Sequence, residues 1–222
     1  MKSLTWSEWT LLAALLLYSS IPAVGGLFRI PELLGGPATL PPNARAVIDP
    51  VPITLHILGS SVFCLAGAVQ FLPSLRHHRL VLHRTLGRIV AAAGCVSALT
   101  GLWMTVSYAF PAALQGPLLY GARIALSLAM VAFIAWAVVA IRSQNLAAHR
   151  AAMLRAYAIG QGASTQTALF LIAMIFVGTE PHCLSRDLMM VAAWAINIGI
   201  AEILIHRAFG TRRTRATISG TP

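Results

Sequence analysis

The sequence predicts an all-α protein, a polytopic transmembrane helical bundle of about six spanning helices. Three observations predict this class. The 222 residues are 58% hydrophobic and only 10% charged, with a mean hydropathy of +0.77, whereas roughly a quarter of the residues of a soluble domain are charged. Six apolar runs have about the length that spans a bilayer, roughly 20 residues. The basic residues lie mostly in alternate connectors between these runs.

The first apolar run covers residues 9–28. Trp6 and Trp9 would lie at the membrane interface, where aromatic residues are enriched. Alternatively, the run is a signal peptide with an apolar core at residues 11–17 and a weak cleavage site at residues 23–25. A retained helix is favoured because the run approaches spanning length and no soluble domain follows it.

The connectors between the other runs are too short to form a soluble domain, so residues 1–222 are predicted to form a single transmembrane domain. In the third run Ala91, Gly94, Ala98 and Gly101 recur at intervals of three and four, which predicts a small-residue face where another helix approaches closely. The remaining spans are expected at about residues 51–72, 89–112, 119–141, 156–178 and 188–205, followed by a basic tail at residues 206–222.

The distribution of basic residues predicts the topology. With both termini in the cytoplasm, twelve basic residues are inside and three are outside, and Arg123 lies within the fourth run. This is a strong positive-inside bias. The inner residues are Lys2, Arg76, Arg79, Arg84, Arg88, Arg142, Arg150, Arg155, Arg207, Arg212, Arg213 and Arg215, and the outer ones are Arg29, Arg45 and Arg186.

The net charge of +10 is therefore assigned to topology and to contact with anionic lipid headgroups. A nucleic-acid partner is not expected, since no basic face with interleaved aromatic residues is present. The three cysteines include no CxxC pair, which gives no support to a zinc site or a redox disulfide.

Histidines in the two inner connectors carry the most suggestive chemistry. His83 and His149 each precede an arginine, Arg84 and Arg150, near the inner start of a span. Two neutral imidazoles at one depth on neighbouring helices can ligate a haem iron or another metal, and the arginines could hold haem propionates. The alternative, which is favoured, is that each His-Arg pair anchors its helix at the interface.

His56 lies about five residues inside the second span, far from the inner histidines. At 1.5 Å per residue the rest of that helix extends roughly 24 Å inward, so His56 and His83 cannot share one iron. An outer metal or haem site would have to pair His56 with His182. The alternative is a histidine that donates a hydrogen bond to a backbone carbonyl of a neighbouring helix.

Glu202 is a carboxylate well inside the sixth apolar run. Glu202 is expected to be paired or protonated, since a bare carboxylate there is costly. His206 is four residues on and shares its helix face, while Arg88 and Arg155 could reach it from the inner side. Glu202 is either a proton acceptor or part of a structural ion pair, and the ion pair is favoured.

Arg123, near the outer start of the fourth span, can extend its charge toward the interface. Gln161 shares a face of the fifth span with other polar residues. Such groups usually bond across helices, and a polar pathway is the alternative.

Several motifs occur in a familiar order: His56, then GAVQFLPSLR at residues 67–76, LHRTLGR at residues 82–88 and HRAAMLRAYA at residues 149–158. This order resembles a bacterial family of predicted membrane proteins, the domain of unknown function 2306, over residues 52–166. The family pattern has Trp where this chain has Ala152. The resemblance implies a multi-pass inner-membrane protein. Its characteristic polar positions would be His56, Gln70, His83, Arg84, His149, Arg150 and Arg155.

Three functions follow as hypotheses. The first is transmembrane electron transfer through haem b, with a quinone or another redox partner; the layout is loosely similar to di-haem cytochrome b bundles, by analogy of architecture alone. The second is a non-enzymatic transporter of a small solute, proton-coupled or not, using Glu202, Arg123 and the polar face of the fifth span. The third is an assembly factor that binds a partner's helices through its small-residue face.

Overall fold

The computed structural model is helical in every regular element of the residues it describes, which are residues 4–37, 40–41 and 43–218, with the backbone alone for residues 209–218. The helices are α1 (Trp6–Leu33), α2 (Ala44–Ile48), α3 (Pro50–Ser61), α4 (Gly67–Gln70), α5 (Pro73–His78), α6 (Leu80–Ser107), α7 (Pro117–Arg142), α8 (Leu146–Gly160), α9 (Gly162–Val177) and α10 (Cys183–Ile218).

Six helical stretches in the described residues are long and apolar enough to cross a membrane, which confirms the predicted fold class. The first is α1. The second is Pro50–Gln70, in which a π-helical turn at Val62–Ala66 joins α3 to α4. The third and fourth are α6 and α7, the fifth combines α8 and α9, and the sixth is the part of α10 up to Ala208.

The helix boundaries differ from those expected. α6 begins at Leu80 instead of residue 89, and α8 begins at Leu146 instead of residue 156. Hydropathy marks only the apolar part of a span, whereas the polar first turns are also helical and lie where polar groups cost little. At the other end, α6 stops at Ser107 instead of residue 112, because Pro111 cannot continue it. α10 continues as helix through the first part of the predicted tail.

The junction at the π-helical turn is held by a tyrosine of the fifth span. A π-turn disrupts the regular backbone bonding of a helix, and the hydroxyl of Tyr157 donates to the carbonyl of Cys64 at 2.8 Å. Phe63, which is 1% exposed, packs beside Gly94 and Gly160. A Cβ atom at either glycine would lie within 2.6 Å of the Phe63 ring. The core of the bundle is therefore organised around Phe63.

The small-residue face predicted on the third span is confirmed. Gly94 faces Phe63 of the second span and Ile134 of α7, and Gly101 faces His56 and Ser127. The face therefore brings the second and fourth spans close to α6.

The start of the first helix is bonded to the rest of the bundle. It begins with a capping box in which Thr5 and Glu8 satisfy each other's backbone N–H groups. Glu8 also accepts 2.6 Å bonds from the backbone and side chain of Ser74. These contacts place the start of α1 beside α5. We call this the basic end of the bundle, since it also carries the starts of α6 and α8 and Arg142.

Candidate functional site

A cavity of about 340 Å³ lies between the helices in the half of the bundle away from the basic end. Its volume is within the range of pockets that hold small molecules, roughly 300–1,000 Å³. Most of its walls are apolar. The polar groups on its walls include His56 and Arg123, together with Ser19, Ser60, Ser97, Thr105, Ser127 and Gln166.

His56 reaches this cavity from the second span. Its Nδ1 lies 2.9 Å from the backbone oxygen of Ser97 on α6. Since a carbonyl oxygen only accepts, Nδ1 carries the proton, and the other ring nitrogen, Nε2, keeps its lone pair. Gly101 lies opposite the ring, and a Cβ atom there would be 3.4 Å from Cε1. The imidazole is therefore fixed in orientation with one nitrogen left to accept a proton or a hydrogen bond.

Arg123 reaches the same cavity from the first turns of α7. Its guanidinium donates to the amide oxygen of Gln115 and lies 5.0 Å from the centre of the Phe110 ring. Arg45 lies 4.7 Å from the same ring. Within the described part of the chain Arg123 forms no ion pair at contact distance, and both contacts given above are with neutral side chains.

Asp187 of α10 is the carboxylate that acts on Arg123 through space. It is 1% exposed, and its two oxygens accept bonds of 3.0 Å from the backbone N–H groups of Gly116 and Leu119. Asp187 thus caps the N-terminus of α7, where a negative charge is favoured. Each of its two oxygens is thus engaged in that cap. The sequence interpretation missed this residue because the partner backbone lies about 70 positions earlier in the chain.

A buried polar network joins α1, α9 and α10 beside the cavity. Gln161 lies at the junction of α8 and α9; its Nε2 donates to Ser19 at 2.7 Å and its Oε1 accepts from Ser164 at 2.8 Å. Thr165 donates to Asn197 at 2.7 Å. The polar face predicted around Gln161 therefore bonds across helices. Asn197, a partner in this network, was not predicted.

The inner histidines lie at the basic end. His83 and His149 occupy the first turns of α6 and α8, close enough for their charges to interact, and Arg84 and Arg150 also act on His83. Nδ1 of His149 donates to the Ala137 carbonyl at 2.9 Å. Nδ1 of His83 is buried and has no hydrogen-bond partner among the described residues.

The structure does not bring His56 together with His182, which is exposed and does not line the cavity. Among the described residues no group of three or more His, Cys, Asp or Glu side chains could hold a metal ion. A haem needs only two histidine ligands, so a haem between His83 and His149 stays a prediction.

Glu202 forms an ion pair with Arg155 of α8, with 2.5 Å between Oε1 and Nε and 2.8 Å between Oε2 and a terminal nitrogen. The side chains are 34% and 30% exposed. His206, one turn further along α10, is exposed and acts on Glu202 only through its charge. None of these three residues lines the cavity.

A family model described as "Predicted membrane protein (DUF2306)" matches residues 53–205, which is more than half of the chain. No curated protein and no solved structure matches the chain significantly. The match covers nearly all of the second to sixth spans. It includes the cavity residues His56 and Arg123 and the part of the basic end formed by α5 and the starts of α6 and α8.

Proposed function

This chain belongs to DUF2306, a family of predicted membrane proteins, and we propose that it binds a small organic monocarboxylate in the cavity beside His56 and Arg123 and carries it across the membrane. One observation carries the proposal. Arg123 lines a cavity inside the membrane-spanning part of the bundle, and its charge has no carboxylate partner at ion-pair distance in the described chain. A charge in that environment calls for an opposite charge.

The composition of the cavity supports an anionic ligand. No Asp, Glu or Lys among the described residues lines it. A guanidinium offers two parallel N–H donors that match the two oxygens of a carboxylate. The apolar remainder of the walls suits a short hydrocarbon body. His56 would accept a hydrogen bond from a hydroxyl of the substrate through Nε2, or take up a proton that enters with the acid.

The electrostatics near the mouth of the cavity also favour anions. Arg45 and Arg123 both lie against the Phe110 ring, and Arg186 adds a third positive charge that acts on Arg123. Like charges gathered at an entrance raise the local concentration of counter-ions. The positive-inside bias supports placing this mouth on the outer side of a bacterial inner membrane, with both termini in the cytoplasm.

The test is uptake of radiolabelled lactate, pyruvate and benzoate into proteoliposomes. We expect uptake of at least one of them by the native chain. Uptake by the Arg123→Gln variant should be lower by about tenfold or more, which corresponds to ~1.4 kcal/mol. Arg142→Gln is the matched control, since Arg142 is an exposed arginine at the other end of the same helix.

Ser127→Leu is a second variant that fills the cavity without removing a charge, and it should also abolish uptake. No uptake of any of the three acids by the native protein would rule the proposal out. Equal uptake by the native and Arg123→Gln proteins would do the same.

Haem b between His83 and His149 is the second candidate. It is favoured by the bond from His149 Nδ1 to Ala137, which leaves Nε2 free as a ligand. No corresponding orienting bond is found at His83 within the residues that the structure describes. A dithionite-reduced absorption spectrum of protein from haem-replete cells tests it: an alpha band lost in His83→Ala and in His149→Ala would establish the haem, and a colourless protein would exclude it.

A further inference from the structure

A group of polar and basic side chains at the basic end lies outside the cavity. It comprises Gln70 at the end of α4, Arg76 on α5, His83 on α6 and Arg150 on α8. We call these four residues the basic cluster. They come from four helices separated along the chain. The folded bundle brings Arg76, His83 and Arg150 within range of one another's charges, and the side chain of Gln70 packs against Gly87, one turn beyond His83 on α6.

Three buried polar atoms of the basic cluster lack a partner. They are Nε2 of Gln70, Nε of Arg76 and Nδ1 of His83, and none of them is hydrogen-bonded in the part of the chain that the structure describes. The amide nitrogen and the guanidinium nitrogen are donors only, and an imidazole nitrogen can donate. Buried polar groups in native proteins are nearly always satisfied. Three orphans in one place therefore indicate an acceptor supplied from outside the chain.

The charge around these atoms is mainly positive. Burial lowers the pKa of Arg76, and the charge of Arg150 lowers it further, while Glu8 acts in the opposite direction. Glu8 is the carboxylate whose charge acts on Arg76, but its oxygens already accept bonds from Ser74 and Thr5. An acceptor that satisfies the orphan donors would therefore be expected to carry negative charge as well.

The backbone adds to the same field. His83 lies in the first turn of α6, which begins at Leu80, and Arg150 lies in the first turns of α8, which begins at Leu146. Helix N-termini carry a partial positive charge and free N–H groups, which favour phosphate. The cluster lies at the end of the spans, the depth at which lipid phosphates are found.

We propose that the basic cluster is a binding site for a phosphate group, with Arg76 and Arg150 pairing its charge and Gln70 and His83 donating hydrogen bonds to its oxygens. A phosphate presents several acceptor oxygens in a tetrahedral arrangement, which suits donors that arrive from four helices. The phosphate belongs either to a lipid headgroup or to a free phosphate ion. The site is independent of the monocarboxylate cavity, which lies in the other half of the bundle.

The test uses the full chain in detergent and measures its thermal unfolding midpoint during titration with three probes. The probes are dihexanoyl phosphatidic acid, dihexanoyl phosphatidylcholine and inorganic phosphate, with chloride added to equal ionic strength. We expect saturable stabilisation by phosphatidic acid or inorganic phosphate, with an apparent affinity about tenfold or more above that for phosphatidylcholine. The comparison needs no variant, so it does not depend on a variant's folding.

Variants then locate the site. The double variant Arg76→Gln with Arg150→Gln should weaken phosphate binding about tenfold or more. Arg88→Gln, an exposed arginine of the same end of α6, is the control and should bind as the native chain does. Saturation by phosphatidic acid alone identifies a lipid headgroup, and saturation by inorganic phosphate identifies a free ion.

Two results would overturn the proposal. One is equal stabilisation by phosphatidylcholine and both phosphate probes, and the other is phosphate binding that persists in the double variant. A reduced haem band that depends on His83 would also overturn it, because the haem would then occupy the cluster. Loss of monocarboxylate uptake alone would leave the phosphate site standing, since Arg123 takes no part in it.

Discussion

Nε2 of Gln161 donates a hydrogen bond of 2.7 Å to Oγ of Ser19, and both side chains are buried, at 4% and 1% exposed. The bond joins the first span to the junction between α8 and α9. The hydroxyl of Ser164 donates to the amide oxygen of Gln161 at 2.8 Å, so both the nitrogen and the oxygen of that amide are bonded. Gln161 is therefore a cross-helix anchor whose hydrogen-bonding groups are already occupied, which gives it a structural role beside the cavity.

Replacement of Ser19 by alanine should destabilise the protein by about 1 kcal/mol, because the amide of Gln161 loses its acceptor within the bundle. For a chain of this size that corresponds to a fall of about 2–4 °C in the unfolding midpoint in detergent. Ser20→Ala is the matched control, since the Ser20 hydroxyl bonds only to Leu17 of its own helix. Equal midpoints for the two variants would mean that the Gln161 bond contributes nothing measurable.

Replacement of Asp187 should destabilise the protein far more than replacement of an exposed acid such as Glu180. Asp187→Ala leaves the N–H groups of Gly116 and Leu119 without their acceptor, and we expect a loss of roughly 2–3 kcal/mol. Asp187→Asn keeps one acceptor oxygen and should lose less. Glu180→Gln, at an exposed position, should leave the thermal midpoint in detergent unchanged. A similar midpoint for Asp187→Ala and Glu180→Gln would show that the cap is dispensable.

The six spans could be predicted from the sequence because a bilayer demands about 20 apolar residues for each crossing. The helix ends could not, since the polar first turns at Leu80 and Leu146 are helical without being apolar. The close approach at Gly94 was visible as a pattern of small residues, but its partner, Phe63, was not.

The candidate site was predicted only in parts. His56 and Arg123 stand out because each is a polar residue in an apolar run. That they share one cavity depends on the order of helices in the bundle, which local patterns do not encode. Asp187 and Asn197 escaped notice for the same reason, because their roles are set by backbone and side chains of other helices.

Glu202 offers a test that separates an ion pair from a proton acceptor. Its side chain and that of Arg155 are about a third exposed, and ion pairs open to solvent contribute about 0–1 kcal/mol. Glu202→Gln should therefore shift the thermal midpoint little and leave monocarboxylate uptake in proteoliposomes intact. Loss of uptake in a stable Glu202→Gln protein would contradict this and would assign the carboxylate a role in transport.

Gly162 of α9 permits a close contact with Trp194 of α10. A Cβ atom at this position would lie 1.9 Å from Nε1 of Trp194, and that nitrogen donates to the carbonyl of Ile159 at 3.1 Å. Gly162→Ala must displace the indole and break this bond, so we expect a loss of roughly 1–3 kcal/mol. The measurement is the thermal midpoint of the purified variant in detergent.

Gly121→Ala is the control, because a Cβ atom there meets nothing within 4 Å. Gly121 lies inside α7, and alanine is the better helix former by about 1 kcal/mol, so this variant should be as stable as the native chain or more so. Trp194 also lines the cavity. Displacement of its indole by Gly162→Ala should therefore lower both monocarboxylate uptake and stability. Gly121→Ala should lower neither the uptake nor the thermal midpoint. Equal midpoints for the two glycine variants would show that the indole of Trp194 can move away from Gly162 without cost.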